Sequence, residues 1–234
     1  MTTPFPNWHD VCPQLAILEA RFREIRAELD AVRDGPGWFP WVENDLYDSD
    51  VDWQILPIYG FDKLNVDAAR ALPRTCAALA QVPGLRTALF SRISPMGALN
   101  PHLGPPLHSN FVLRAQLGVD VPGEAGVVCD GEERLVEEGR VLMFDDLLLH
   151  TGFNRADRPR TVLICDVDRP GTPPLKLERP QWGVTAPDWP PGWEEVGRRV
   201  TAVRARAFAA GLQALTPGPP AAPPPPARSP SRRA

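Results

Sequence analysis

Two histidines and two arginines carry the chemistry that this sequence offers. His150 lies in "FDDLLLHTGFNRADRPRTVLICDV", residues 144–167, and Arg160 follows ten residues later at the head of an apolar, β-branched segment. His102 lies in "SPMGALNPHLGPP". A histidine just before a loop is ordinarily a surface or capping residue. Two imidazoles from separate strands of one barrel are instead the beginning of a transition-metal site. The usual non-haem iron pattern adds a carboxylate two residues after the first histidine, and that place is Gly104. From the residues alone, a metal site and no metal site stand level.

The arginines ask for an acid. Side chains alternate faces along a strand. In "NFVLRAQLGV", Arg114 and Gln116 therefore share the face opposite Phe111, Leu113 and Leu117. In "RTVLICDV", Arg160, Val162 and Ile164 share a face, as Ser91 and Ile93 do in "SRIS". If Arg114 and Arg160 point into an apolar chamber, each needs an anionic partner, because a buried unpaired charge is costly. Few chain carboxylates are placed to serve both. A small dicarboxylate would serve, and the planar guanidinium fork binds carboxylates bidentately.

The elements that must position these groups are short strands. From Thr87 onward, "TALFSRIS", "NFVLRAQLGV", "AGVVCD", "ERLVEEG", "RVLMF" and "TVLICDV" are β-rich and separated by turns, with a hairpin signal at Asp130-Gly131. So many strands without intervening helices predict antiparallel sheets closed as a sandwich or jelly roll. Ahead of them, residues 12–34 carry an apolar helical stripe (Leu15, Ile17, Leu18, Phe22, Ile25, Leu29) that Gly35-Pro36-Gly37 ends. The stretch from there to about residue 60 reads as loops around short strands. "VDAARALPRTCAALAQV" reads as a second helix, interrupted near Pro73. The expected organisation is one domain over 1–215: N-terminal helices in 1–85, a jelly-roll core in 86–170, and an extension with a C-terminal helix in 171–215. The proline-rich 216–234 is expected to be a disordered tail of polyproline II character, at most a ligand for a partner groove.

Composition closes off other functions. The net charge of −4 gives no basic field for nucleic acid. Neither a signal peptide nor an 18-residue apolar run is present, which predicts no membrane association and a cytoplasmic location. The four cysteines, Cys12, Cys76, Cys129 and Cys165, form no CxxC pair, so they read as reduced, mostly buried thiols.

Four ordered blocks, "PHLGP", "LRAQLGVDVP", "VEEGRVLMFDDLLLH" and "NRADRPRTVLICDVDRP", resemble the aspartyl/asparaginyl β-hydroxylase family of 2-oxoglutarate-dependent oxygenases. The resemblance runs from about Ser91 to Pro170. It implies a double-stranded β-helix (jelly roll, cupin-like) core with flanking helices. It also implies a dioxygenase that uses Fe(II), 2-oxoglutarate and O2 to hydroxylate an unactivated C–H, releasing succinate and CO2. Carried over by motif, His102 and His150 are the iron ligands, and Gly104 is where members of the family often lack a carboxylate. Arg160, helped by Ser91, takes the distal carboxylate of 2-oxoglutarate, and Arg114 approaches the carboxylate that chelates iron. Of the pair Asp145 and Asp146, one orients a group bound at the metal; Asp146 is the candidate. Gln116 replaces the family's cosubstrate-contacting histidine, and Val136 replaces a tryptophan. The turn after His102 is about two residues longer than in the animal enzymes and carries His108, expected to be a solvent-exposed turn residue.

The resemblance leaves the substrate open. An amino-acid-like or peptidyl (Asp/Asn-type) substrate is expected, with Trp38, Trp41 and Trp53 divided between the core and the mouth of the site. Two alternatives stand beside hydroxylation. One is halogenation, since a glycine at 104 leaves room for chloride. The other is a non-catalytic jelly-roll module that binds a metal or an acid.

Overall fold

The computed structural model describes residues 3–50, 52–60 and 63–172. Ten strands build it: β1 (Phe39–Pro40), β2 (Trp53–Gly60), β3 (Lys63–Leu64), β4 (Leu85–Ile93), β5 (Val112–Asp120), β6 (Ala125–Cys129), β7 (Glu132–Leu135), β8 (Val141–Phe144), β9 (His150–Asn154) and β10 (Arg160–Asp168). A large sheet runs in the order β1-β2-β4-β10-β5-β8, with β3 paired to β2, and a smaller sheet runs β7-β6-β9. The pairings between these strands are antiparallel. This is the jelly-roll core expected from the sequence.

Alternation along the central strands of the large sheet gives each of its faces a separate task. Phe90 on β4, Leu113 and Leu117 on β5, and Leu163 and Cys165 on β10 pack beneath Leu15, Leu18, Ile25 and Leu29 of the N-terminal helices. Leu89, Val162 and Ile164 pack on the opposite side. That side carries the candidate site. The Asp130-Gly131 hairpin forms as expected, both residues taking positive φ (50° and 79°) between β6 and β7.

Three elements depart from expectation. The N-terminal helix is broken: Ala16–Ala20 and Phe22–Val32 are separate segments, and Arg21 between them (φ −99°, ψ 11°) leaves helical geometry. Its stripe nonetheless buries Leu18, Ile25 and Leu29. β2 is an eight-residue, almost wholly buried strand in a stretch expected to be loops around short strands, so the sheet reaches back across residue 86. Pro57 within it cannot donate to the ladder. The register shift between Pro57 and Tyr59 accommodates it. His150 opens β9 rather than preceding a loop; Gly and Asn in "HTGFN" dilute the strand signal of Thr151 and Phe153. The interrupted helix is as expected, Val66–Ala71 followed by Pro73–Leu79.

All four cysteines are buried and free. No helix among the described residues is long and apolar enough to cross a membrane. The expected C-terminal helix and the proline-rich tail lie outside the described residues.

Candidate active site

The two histidines face each other because their backbones are paired. His102 N–H donates to His150 O, and His150 N–H to His102 O, each at 2.9 Å. Directly opposed residues in such a pair project to the same side, and the imidazole centroids are 4.3 Å apart. Each ring is fixed in one tautomer. Nδ1 of His102 contacts Asn100 O at 2.7 Å, and Nδ1 of His150 contacts Leu148 O at 2.8 Å. A carbonyl only accepts, so both Nδ1 atoms carry hydrogen and Nε2 is the nitrogen that could ligate a metal. Asp146 Oδ1 stands 3.3 Å from His150 Nε2. A protonated imidazole or a cation held between the two would satisfy that contact. Two imidazoles are donors that a divalent metal accepts, although among the described residues no group of three or more His, Cys, Asp or Glu is arranged to hold one.

The histidines open onto a small, partly open cavity. Its lining includes Ser91, Arg114, Gln116 and Arg160 beside the histidines, with apolar walls from Ile93, Leu99, Val127, Phe144 and Ile164. The residues singled out from the sequence are thus brought together on one chamber, Asp146 standing at its edge beside His150.

The two arginines differ sharply. Arg160 is 1% exposed, and its Nε and Nη1 have no hydrogen-bond partner. Burial pushes its guanidinium down to about 10, still cationic at neutral pH. Gly152, the next inward position of β9 after His150, makes room for it: a Cβ there would lie 3.2 Å from Arg160 Nη2. The buried Gln116 also leaves its Oε1 without a partner. The two unpartnered guanidinium nitrogens call for an anionic acceptor and the unpartnered amide oxygen for a donor, so the chamber suits a polar occupant.

Among the described residues, the chain supplies carboxylates to one of these two arginines only: Arg114 finds its anionic partners within the protein rather than needing an external acid. Its Nε and Nη2 donate to Asp166 at 2.8 and 3.0 Å, and its Nη1 donates to Asp146 at 2.8 Å. Arg114 and Asp166 are register partners across β5 and β10. Burial opposes ionisation of Asp146. Arg114, His150 and the Ser109 hydroxyl together outweigh it and hold the carboxyl well below the usual range. Burial likewise works against Asp166, while Arg114 and His108 bring it down. Asp145 is turned away from the histidines into bonds with Arg169 at 2.6 and 2.8 Å. His108 is not a free turn residue either. It is half-buried with Nε2 2.9 Å from Asp166.

Gly104 has a steric reason. A Cβ there would run into Asp146 Oδ2 and Ser109 Oγ. A side chain at 104 would therefore have to displace Asp146 and Ser109. Gly104→Ala is expected to destabilise the fold by about 1–3 kcal/mol through overpacking, read as a lower urea midpoint with unchanged slope.

The three tryptophans were expected between core and mouth, whereas Asp166 and Ser109 had escaped the sequence reading. Trp53 lines the cavity, and its Nε1–H donates to Ser91 Oγ at 2.9 Å, leaving the serine hydroxyl hydrogen to be donated elsewhere. Trp41 stacks on Trp53 with centroids 4.7 Å apart, and Trp38 packs against the core on the helix side, so one tryptophan lines the cavity, one backs it and one serves the core. Asp166 was within reach of the period-two argument that placed Arg160.

The model of the family described as "Aspartyl/Asparaginyl beta-hydroxylase" matches residues 19–170. An ornithine lipid ester-linked acyl 2-hydroxylase from Rhizobium tropici is 33% identical over 173 residues, covering 70% of this chain and 60% of that protein. The aspartyl/asparaginyl beta-hydroxylase of Homo sapiens is 31% identical over 163 residues, covering 67% of this chain and 21% of that protein. Among solved structures, the cupin domain of an XRE-family transcriptional regulator from Enterobacter cloacae aligns with a TM-score of 0.34 and 15% identity, covering 50% of this chain and 96% of that one.

Proposed function

Since the chain belongs to the aspartyl/asparaginyl β-hydroxylase family, we propose that it is a hydroxylase dependent on Fe(II), 2-oxoglutarate and O2. The observation that carries this is the buried Arg160, with two unpartnered guanidinium nitrogens, sharing one chamber with two histidines whose Nδ1 atoms are bonded to backbone carbonyls. His102 and His150 would hold the iron. Arg160 would take the distal carboxylate of 2-oxoglutarate through its unpartnered nitrogens, with the Ser91 hydroxyl, steadied by Trp53, as a second donor. Gln116 would donate through its amide to the same cosubstrate. Arg114 spends three of its five N–H donors on Asp146 and Asp166, and it lines the cavity with the rest. Asp146, beside His150 and locked by Arg114 and Ser109, would orient a group bound at the metal. Bound iron and 2-oxoglutarate would supply the oxidising power for inserting oxygen into an unactivated C–H. The protein supplies position and exclusion of water.

For the substrate we keep an amino-acid-like or peptidyl molecule of the Asp/Asn type, the kind that the family's description points to. A second reading has its own support. With Arg160 given to the cosubstrate and Arg114 paired, the remaining described walls are Ile93, Leu99, Val127, Phe144 and Ile164, which suit a hydrocarbon segment. The Rhizobium tropici relative is named for an acyl chain. The four buried free thiols fit a cytoplasmic location. Oxygen-dependent succinate release, tested with Asp/Asn peptides, free amino acids and acyl esters, separates these substrates. Its absence with all of them would leave a binding module.

A further inference from the structure

Beyond the cavity, the described core holds one extended ionic cluster that leads from the site to the surface. Asp146, Arg114 and Asp166 are buried in line: Asp146 Oδ1 to Arg114 Nη1 at 2.8 Å, then Arg114 Nε and Nη2 to the two oxygens of Asp166. Asp146 and Asp166 are each no more than 1% exposed. The outer end is His108, whose Nε2 meets Asp166 Oδ2 at 2.9 Å. Its neighbour Ser109 donates to Asp146 Oδ2 at 2.5 Å. One short turn therefore touches both carboxylates through adjacent side chains. The same turn leaves the His102 segment at Gly104, whose N–H donates to Asp146 O at 2.6 Å. It returns to β5 through Phe111 N–H, which donates to His108 O at 2.9 Å.

The charges facing His108 are Asp166 on β10 and, across it, Arg114 on β5; Arg169, held by Asp145, bonds Ser109 O from the far side. Asp146, Asp166 and Arg114 together leave one negative charge over inside the protein. A hydrogen-bond donor at Asp166 offsets part of what that costs. Ion pairing this far from water is much stronger than at the surface, so whatever keeps the turn seated keeps the pairing strong.

We propose that His108 is a positioning residue for the site: it clamps the 104–111 turn over the Asp166–Arg114–Asp146 cluster and thereby fixes the carboxylate that faces His150. The proposal rests on the reading of His102 and His150 as metal ligands. It extends that reading to a histidine in the turn that this chain has lengthened.

The test compares the full-length protein with His108→Ala and His108→Gln. Glutamine places an N–H near the imidazole Nε2 and so restores the bond. In the metal-free protein, amide exchange at Gly104 and Phe111 should quicken in His108→Ala and return towards wild type in His108→Gln. Titration with Co(II) as a spectroscopic stand-in should give about 10-fold weaker binding in His108→Ala, the scale of removing a partner behind a metal ligand. That binding should also become salt-sensitive, and it should come within about threefold of wild type in His108→Gln. If His108→Ala does not fold, His108→Leu takes its place, keeping bulk without a donor. Unchanged exchange and unchanged Co(II) affinity in the alanine or leucine variant would overturn the proposal. So would a glutamine variant as impaired as alanine. If the wild type binds no Co(II), the metal reading fails by itself, and the exchange comparison still decides whether His108 holds the turn.

Discussion

Arg160→Met should weaken 2-oxoglutarate binding by about 100-fold and at the same time make the ligand-free protein more stable. The first effect follows from removing one side of a desolvated, charge-assisted carboxylate pair. Such truncations cost about 2–5 kcal/mol, and about 3 kcal/mol is roughly two decades of affinity. The second follows from the same burial. Arg160 is 1% exposed, two of its nitrogens are unanswered, and burial alone lowers its pKa to about 10. Methionine fills similar volume without a charge to desolvate. Exchanges of this kind are neutral or stabilising by about 1–4 kcal/mol, which in a chain of this size is a rise of several degrees in Tm. Calorimetric titration and thermal unfolding of one sample measure both. A variant that bound 2-oxoglutarate normally would remove Arg160 from the cosubstrate's path. A variant that lost binding and stability together would make it a structural residue instead.

Asp146→Ala should act in the opposite sense on stability. Asp146 is fully buried and shared among Arg114, Ser109 and His150. Removing it leaves Arg114 to Asp166 alone and opens a void at Gly104. Breaking a buried pair from one side costs about 3–5 kcal/mol. The change should be visible in urea as a much lower midpoint. It should also alter the acid limb of stability. Asp146 and Asp166 are held below the ordinary carboxylate range in the fold, so the unfolded chain takes up protons more readily than the folded one. Their contribution is fully present above the unfolded value, about 4. It is lost as pH falls from there through the lower folded values. The wild type should therefore lose stability steeply below about pH 4, and Asp146→Ala should follow a shallower slope. Equal slopes would mean that the cluster is ionised no more readily in the fold than outside it.

How far the sequence carried this account depended on whether a residue's partner lay on its own strand. Alternation in "RTVLICDV", "NFVLRAQLGV" and "SRIS" was enough to put Arg160, Gln116 and Ser91 on one side, where the structure has them. The same alternation carries on to Asp166, but its meaning needs the β5–β10 register that sets it opposite Arg114, and register is not written in either segment alone. His102 and His150 were found by type and motif, while their face-to-face pairing comes from two backbone hydrogen bonds between segments far apart in sequence. The smaller sheet was half invisible because β9 has one large apolar residue, Phe153, among polar and glycine positions. Trp53 lay in a stretch read as loops around short strands, whose length as one eight-residue strand was not legible. The filling of the space at Gly104 was invisible in principle, since it depends on where Asp146 and Ser109 fold to.

The central claim is that His102, His150 and Arg160 form one site for iron and 2-oxoglutarate. Its most direct test is the visible metal-to-ligand charge-transfer band of the anaerobic protein mixed with Fe(II) and 2-oxoglutarate. The account predicts a band in the wild type, lost in His102→Ala and in His150→Ala, and requiring about 100-fold more 2-oxoglutarate in Arg160→Met. A folded wild type with no band, or a band that survives loss of either histidine, would contradict it.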